Sequence, residues 1–310
     1  MEFTGTKEGL YELIEIPEDF GPCEVTVDDH KVKTYAFTQD DYHDWYFKDS
    51  PFGGRIGHAS ILANDLLCLF LTKYNPNTII GLHTQEELSF HSPVKVGETA
   101  TLQGRYVEKY VKRGKGYVVM EAEARGEDGR LLVKHRGIEI MRILVGETEK
   151  GTEKNVEKKV TGEYDKSIPE AAKAYADIAI GTPIAPLRKV TTPEQTMIFS
   201  NAGRYVKNTH TDLEVARKAG LDRLLVQGQQ QVGYLTEMLT NFFGASWFVS
   251  GYEKVKFIRP VLVGETLVSR GKVVGKTEEN GKVRLELEIW NENSKGELTA
   301  VGWANAIVGE

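Results

Sequence analysis

The stretch FHSPVKVGET, Phe90 to Thr99, returns as FIRPVLVGET, Phe257 to Thr266, at an offset of 167 residues and with seven of its ten positions identical. A repeat of this kind is established first, because overlooking it misassigns the whole fold. Each copy reads as a short strand running into a glycine turn, and the proline after the first residues marks a bend or an edge position. The flanks extend the match. ATLQGRYVEKYVKRGKGYVVMEAEAR, a turn at 127–129 and RLLVKHRGIEIMRI follow the first copy; LVSRGKVVGKTEENGKVRLELEIW, a turn near Ser294 to Gly296 and ELTAVGWANAIV follow the second. Asn280-Gly281 and Asp128-Gly129 are dipeptides that antiparallel turns favour, since they accept positive φ at low cost. Each half is predicted to be mostly antiparallel sheet.

One apolar helix is expected upstream of each sheet. In the first half ASILANDLLCLFLTKYN stops at Asn75-Pro76, where proline forbids continuation. In the second, Val232, Leu235, Leu239 and Phe242 recur at helical spacing and Gly244 offers a left-handed cap. The fold class is α+β, two tandem halves that each wrap a curved sheet on a helix. GETEKGTEKNVEKKVTGEYDKS, Gly146 to Ser167, is charged and nearly free of apolar residues, a composition that buries too little surface to order itself. The expected organisation is a first half at 1–146, a connector at 147–165 and a second half at 166–310.

The 310 residues carry a formal charge of −6, which argues against nucleic acid or an anionic membrane as partner. Cys23 and Cys68 are too few for a disulfide framework or a four-ligand zinc site, and a reducing cytoplasm fits them. The N-terminal MEFTGTKEGLYELIEIPEDF lacks the apolar run of an export signal, and LLCLFL at 66–71 is too short to span a bilayer. A cytoplasmic protein is expected.

The halves differ before the second helix. Aligning FTQDD (Phe37 to Asp41) with TTPEQ (Thr191 to Gln195) as helix starts, and RIGHAS (Arg55 to Ser60) with LVQGQQ (Leu225 to Gln230), leaves about 15 extra residues in the second half. They include NTHTDLEVARKAG, in which Asp212 is a helix N-cap, Leu213 to Ala219 makes two turns and Gly220 ends them. His210 is expected just outside that helix, on a segment the first half lacks. Thr192 and Gln195 have the spacing of a capping box.

This combination resembles the MaoC-like dehydratases, the R-specific enoyl-CoA hydratases with a double hot-dog fold. The likeness rests on the tandem helix-and-sheet plan, FIRPVLVGET after the helix, and the loop ending His-Thr-Asp before a short helix. It covers about 35–145 and 185–308 in architecture, with the catalytic type of motif in the second half alone, so the first half is taken as degenerate. The resemblance implies a hydro-lyase that adds water to an enoyl-CoA or removes it from a 3-hydroxyacyl-CoA, with coenzyme A as part of the substrate and no further cofactor. His210 matches the family's histidine and Asp212 the acidic residue after it. Where the family keeps its catalytic Asp, five residues before the His, stands Tyr205; where it often has Asn, three before, stands Lys207.

Such a reaction needs one group to take a proton from water and another to deliver one to the α-carbon. His210 suits the first task, and Tyr205 and Asn208 are the candidates beside it. Gly228, at the mouth of the apolar helix, would let free N–H groups and the positive dipole end approach the thioester oxygen as charge develops. Trp45, Tyr46 and Phe47 read either as core or as the wall of an acyl cavity. Asp212 reads as a cap, His58 as a structural contact, and His43 and His58 lack metal-ligand spacing, so no metal is expected. Arg204, Lys207, Arg217, Lys218 and Arg223 could meet coenzyme A phosphates, yet no phosphate-cradling glycine loop singles one out. Two further functions stay open, an acyl-CoA thioesterase and a non-catalytic acyl-CoA-binding subunit. A homodimer or a hot-dog partner subunit is the expected protein partner.

Overall fold

A computed structural model describes residues 3–79, 81–143, 159–200 and 207–309. In the first half β1 (Glu18–Thr26) leads to α1 (Asp29–Gln39), α2 (Asp44–Phe47) and α3 (Ala63–Leu67), then to β2 (Gly81–Phe90), β3 (Thr99–Lys112), β4 (Lys115–Arg125) and β5 (Leu131–Met141). The second half repeats the plan with β6 (Pro183–Val190), α4 (Pro193–Phe199), α5 (Leu213–Lys218), α6 (Gly228–Phe243), α7 (Trp247–Ser250), β7 (Tyr252–Phe257), β8 (Thr266–Glu279), β9 (Lys282–Asn293) and β10 (Leu298–Ile307). The strands form one sheet in the order β1-β3-β4-β5-β2-β7-β10-β9-β8-β6. The two five-strand patterns mirror each other across the antiparallel β2–β7 pair, where Gln85 faces Lys256 and Ser89 faces Tyr252.

The opening repeat is a structural repeat as well. Gly97 and Gly264 both take positive φ, at 96° and 87°. In each copy the glutamate beside that glycine folds back on the turn: Glu98 accepts from Lys95 N–H and Glu265 from Leu262 N–H. Asn280 and Gly281 have φ of 50° and 76°, the left-handed pair of a tight hairpin. The connector expected at 147–165 lies in large part, 147–158, outside the described residues. Val160 is buried against Trp290 and Val301. Among the described residues no helix is long and apolar enough to cross a membrane.

Three local expectations are corrected. The first half has no long apolar helix: α3 is five residues, and Cys68–Thr72 continues as a 3-10 turn. Asn64 and Asp65 interrupt the apolar run, and side chains of this type compete for backbone hydrogen bonds inside a helix; Thr72 Oγ1 bonds back to Leu69 O at 2.7 Å. FTQDD is not a helix start. It closes α1, which begins at the Asp28 cap and ends with Asp40 at φ 50°. Gly244 does end α6, but at φ 61° and ψ −137°, a conformation open to glycine rather than the left-handed helical one.

α6 is buried around nearly its whole circumference. Val232, Leu235, Leu239 and Phe242 belong to the main core, while several of its polar residues meet partners inside. Gln230 Nε2 donates to Thr38 O at 3.0 Å, and Lys189 Nζ bridges Glu237 (2.7 Å) and Asp40 O (2.6 Å). Gly233 lets the fully buried Gln39 lie against the helix, since a Cβ there would fall on the Gln39 side chain.

Glu253, on β7 and fully buried, accepts from Thr236 Oγ1. Burial pushes its carboxyl up to about 8, with the Thr236 bond offsetting part of the shift and Glu86 adding to it. A folded-state value above the unfolded one means the native protein holds the extra proton, so stability falls as pH rises from about 4.5 to about 8 and levels off above. The slope this group contributes is at most about 1.4 kcal/mol per pH unit. Thermal melts of Glu253→Gln across that range should be flatter than those of wild type; an identical slope would remove Glu253 from the account.

Candidate active site

The His210 loop is built by short-range hydrogen bonds. Asn208 Oδ1 accepts from His210 N–H (2.9 Å) and from Thr211 Oγ1 (3.2 Å), while the Asn208 carbonyl accepts from Asp212 N–H at 2.9 Å. Asp212 then caps α5 as expected, its Oδ1 accepting from Glu214 N–H (2.9 Å) and Val215 N–H (3.0 Å). Its other oxygen pairs with Lys207 at 3.2 Å. Asp212→Ala should cost about 1 kcal/mol through the lost cap, lowering the melting temperature by a few degrees while catalysis survives; loss of activity in a folded variant would make Asp212 more than a cap.

Two bonds then tie the loop to the segment entering α6. Leu225 N–H donates to Thr209 O (2.9 Å), and His210 Nδ1 lies 2.7 Å from Leu225 O. A carbonyl oxygen only accepts, so Nδ1 carries the proton and the neutral ring presents its lone pair at Nε2. Burial lowers the His210 pKa, with the Leu225 carbonyl offsetting part of the effect. The ring is therefore neutral at pH 7, in the tautomer a base at Nε2 requires.

Three residues beyond Leu225, Gly228 opens α6. Its N-cap, Gln227, makes no side-chain cap bond, so the N–H groups of Gly228 and Gln229 lack an intrahelical acceptor, whereas Gln230 N–H donates to Gln227 O at 3.1 Å. A Cβ on Gly228 would stand 2.8 Å from Phe257 Cζ. Beside it Gln227 Oε1 and both polar atoms of the Gln229 side chain are buried without a hydrogen-bond partner. These glutamines were not anticipated, since a polar run at a helix start ordinarily reads as solvated surface. The mouth of α6 thus combines backbone donors without an intrahelical acceptor, those of Gly228 and Gln229, with unpartnered amides beside an aromatic ring.

Tyr205 and Arg204 lie outside the described residues. Asn208 is committed to shaping the loop. Tyr46 is fully buried and donates to Asp41 Oδ2 at 3.0 Å; Phe47 is 36 % exposed. Trp45 packs on Phe248 and Phe52, with ring centroids at 6.0 and 6.4 Å. The three aromatics therefore do not line one wall. Arg223 bonds Val263 O at 2.9 Å, and Arg217 and Lys218 sit in the last turn of α5, where cations suit the helix dipole. Among the described residues no three His, Cys, Asp or Glu are grouped to hold a metal ion.

The backbone also revises how the halves align. Val27 N–H bonds Glu98 O as Thr191 N–H bonds Glu265 O, so the Asp28 cap corresponds to Thr192. Ile56 N–H bonds Trp45 O as Leu225 N–H bonds Thr209 O, and Gly57 N–H bonds Val94 O as Val226 N–H bonds Val261 O. From the cap to Trp45 or Thr209 is 17 residues in both halves. The excess in the second half is five residues, not 15, and it falls after His210, in the segment that holds α5. The first half keeps a counterpart of the His210 loop.

Residues 176–291 match the MaoC like domain family. None of the curated proteins compared matches the sequence. Over almost its whole length the chain is similar in fold to a MaoC-like dehydratase, with a TM-score of 0.70 at 14 % identity, covering 96 % of this chain and 99 % of that one. A Mycobacterium tuberculosis protein described as having a double hotdog fold superposes with a TM-score of 0.68 at 13 % identity, covering 97 % and 98 %. A MaoC-like dehydratase from Phytophthora capsici gives 0.64 at 18 % identity, covering 95 % and 96 %. The fold is a double hot-dog, α+β, and the matched segment 176–291 holds His210 and Gly228.

Proposed function

We propose that the second half is a hydratase or dehydratase acting on an enoyl-CoA or 3-hydroxyacyl-CoA thioester. The coarse role is supported by the MaoC like domain, and the observation that carries the mechanism is the Nδ1 bond from His210 to Leu225 O. In the hydration direction Nε2 takes a proton from water as its oxygen bonds the β-carbon. The electrons of the double bond move to the thioester oxygen, where N–H groups at the Gly228 mouth stabilise the enolate. A proton delivered to the α-carbon completes the addition, and Tyr205 is proposed as its donor, recovering its own from the His210 imidazolium. Elimination of water runs the same steps backwards.

A thioesterase would need a carboxylate or its equivalent directed at the thioester carbon. Asp212, the acid on this loop, is occupied by α5 N–H groups and Lys207. The test offers crotonyl-CoA to the purified full chain and follows enoyl absorbance and free thiol together. Loss of the enoyl signal without thiol is expected; thiol release would establish the thioesterase instead, and tight binding with neither signal a non-catalytic binder.

A further inference from the structure

His210, Gly228 and Phe257 all belong to the second half, yet the aromatic ring beside Gly228 is held from the first. Phe90 and Phe257 open the two copies of the sequence repeat, and each meets a ring from the opposite half. Phe90 packs on Trp247, with ring centroids 5.3 Å apart; Phe257 packs on His83 of β2, at 5.0 Å and an interplanar angle of 57°. Trp247 is fully buried in the main core. His83 is tied by polar groups instead. Its Nε2 lies 2.9 Å from Gln85 O and 3.1 Å from Glu86 Oε2, and since a carbonyl oxygen only accepts, Nε2 carries the proton. Glu86 is fully buried, and the same carboxylate oxygen lies 3.0 Å from His135 Nε2 of β5.

A chain of contacts therefore runs from His135 on β5 through Glu86 and His83 on β2 to Phe257 on β7, and ends at Gly228, where three ring carbons of Phe257 stand 2.8 to 3.2 Å from the place of a Cβ. Close-packed groups pass on a displacement rather than absorb it. Packing alone would be served by an apolar ring, as Trp247 serves Phe90; a histidine fixed at Nε2 adds a defined ring orientation. We propose that His83 is a positioning residue supplied by the first half: held by Gln85 O and Glu86, it keeps Phe257 against the mouth of α6, and so keeps the N–H groups of Gly228 and Gln229 at the distance a developing oxyanion requires. The catalytic part of this inference rests on the hydratase reading of the second half; the hold of His83 on Phe257 rests on the contacts themselves.

His83→Ala in the full chain should lower kcat for crotonyl-CoA hydration by about tenfold and change KM by less than about twofold, because the contact it loosens strengthens only as charge builds. The deciding measurement is a double-mutant cycle with Gly228→Val. The valine must displace Phe257, and removal of the imidazole gives that ring room to move. Gly228→Val should therefore cost at least about threefold less in kcat on the His83→Ala background than on wild type, and a smaller drop in melting temperature. A residue that merely stabilises the fold would give losses that add. Additive losses in both readouts overturn the proposal, as does a wild-type kcat in His83→Ala, and so does coupling in melting temperature without coupling in kcat in an active enzyme. Should Gly228→Val fail to fold, Gly228→Ala carries the same cycle, since its Cβ meets the same ring. Failure of the hydratase reading is separate: it appears as absence of turnover in the wild type, and the melting cycle then decides whether His83 holds Phe257 at α6.

Discussion

His210→Ala is expected to lower kcat/KM for the proposed enoyl-CoA hydration by about 10²- to 10⁴-fold, the range typical of a lost general base. The fold should survive, because the ring is held by one hydrogen bond to Leu225 O and the loop keeps its Asn208 and Asp212 bonds. His210→Gln offers a sharper control, since a side-chain amide can donate to the same carbonyl but supplies no basic nitrogen. The wild-type pH profile carries its own sign. A base must be unprotonated to act, and burial lowers the His210 pKa, so kcat/KM should rise with pH through a midpoint below that of an ordinary histidine and hold level above it. A midpoint above the ordinary value, or a His210→Ala rate equal to wild type, would remove His210 from the chemistry.

Gly228→Val should be nearly as damaging for a different reason. Its Cβ alone would stand 2.8 to 3.2 Å from three ring carbons of Phe257, so either the ring or the start of α6 must move. A helix mouth displaced by even part of an ångström no longer holds its N–H groups at the distance a developing oxyanion requires. The expected loss is about 10²- to 10³-fold in kcat, the scale of one oxyanion donor. The effect should fall on kcat more than on KM, because the contact strengthens only as charge builds. An unchanged kcat in a folded Gly228→Val protein would place the oxyanion site elsewhere.

Much of the architecture is legible from local chemistry. The Gly97 and Gly264 turns, the Asn280-Gly281 hairpin, the Thr192–Gln195 capping box and the Asp212 cap each depend on residues a few positions apart, and all are present. What fails depends on distant partners. α1, with DHKVKTYAFTQ, has no clear apolar stripe, and the residue before its Asp28 cap, Val27, bonds Glu98 O 71 positions away. The mistaken alignment of FTQDD followed, and with it the impression of a large insertion. The His210 tautomer depends on a carbonyl 15 residues away, and the meeting of Asp41 with His58 on an enclosed polar contact that no periodicity announces.

The continuous pairing of β2 with β7 has a genetic consequence. In a symmetric assembly of identical subunits every substitution appears twice, so a change that suits one side is imposed on the other. A chain that crosses its own seam is free of that constraint. Gln39 can press on Gly233, Lys189 can reach across to Asp40, and one loop can present a histidine where its counterpart presents a tyrosine, without any mirror-image copy having to tolerate the same residue. Asymmetry here is written once per gene, and each half is open to its own selection.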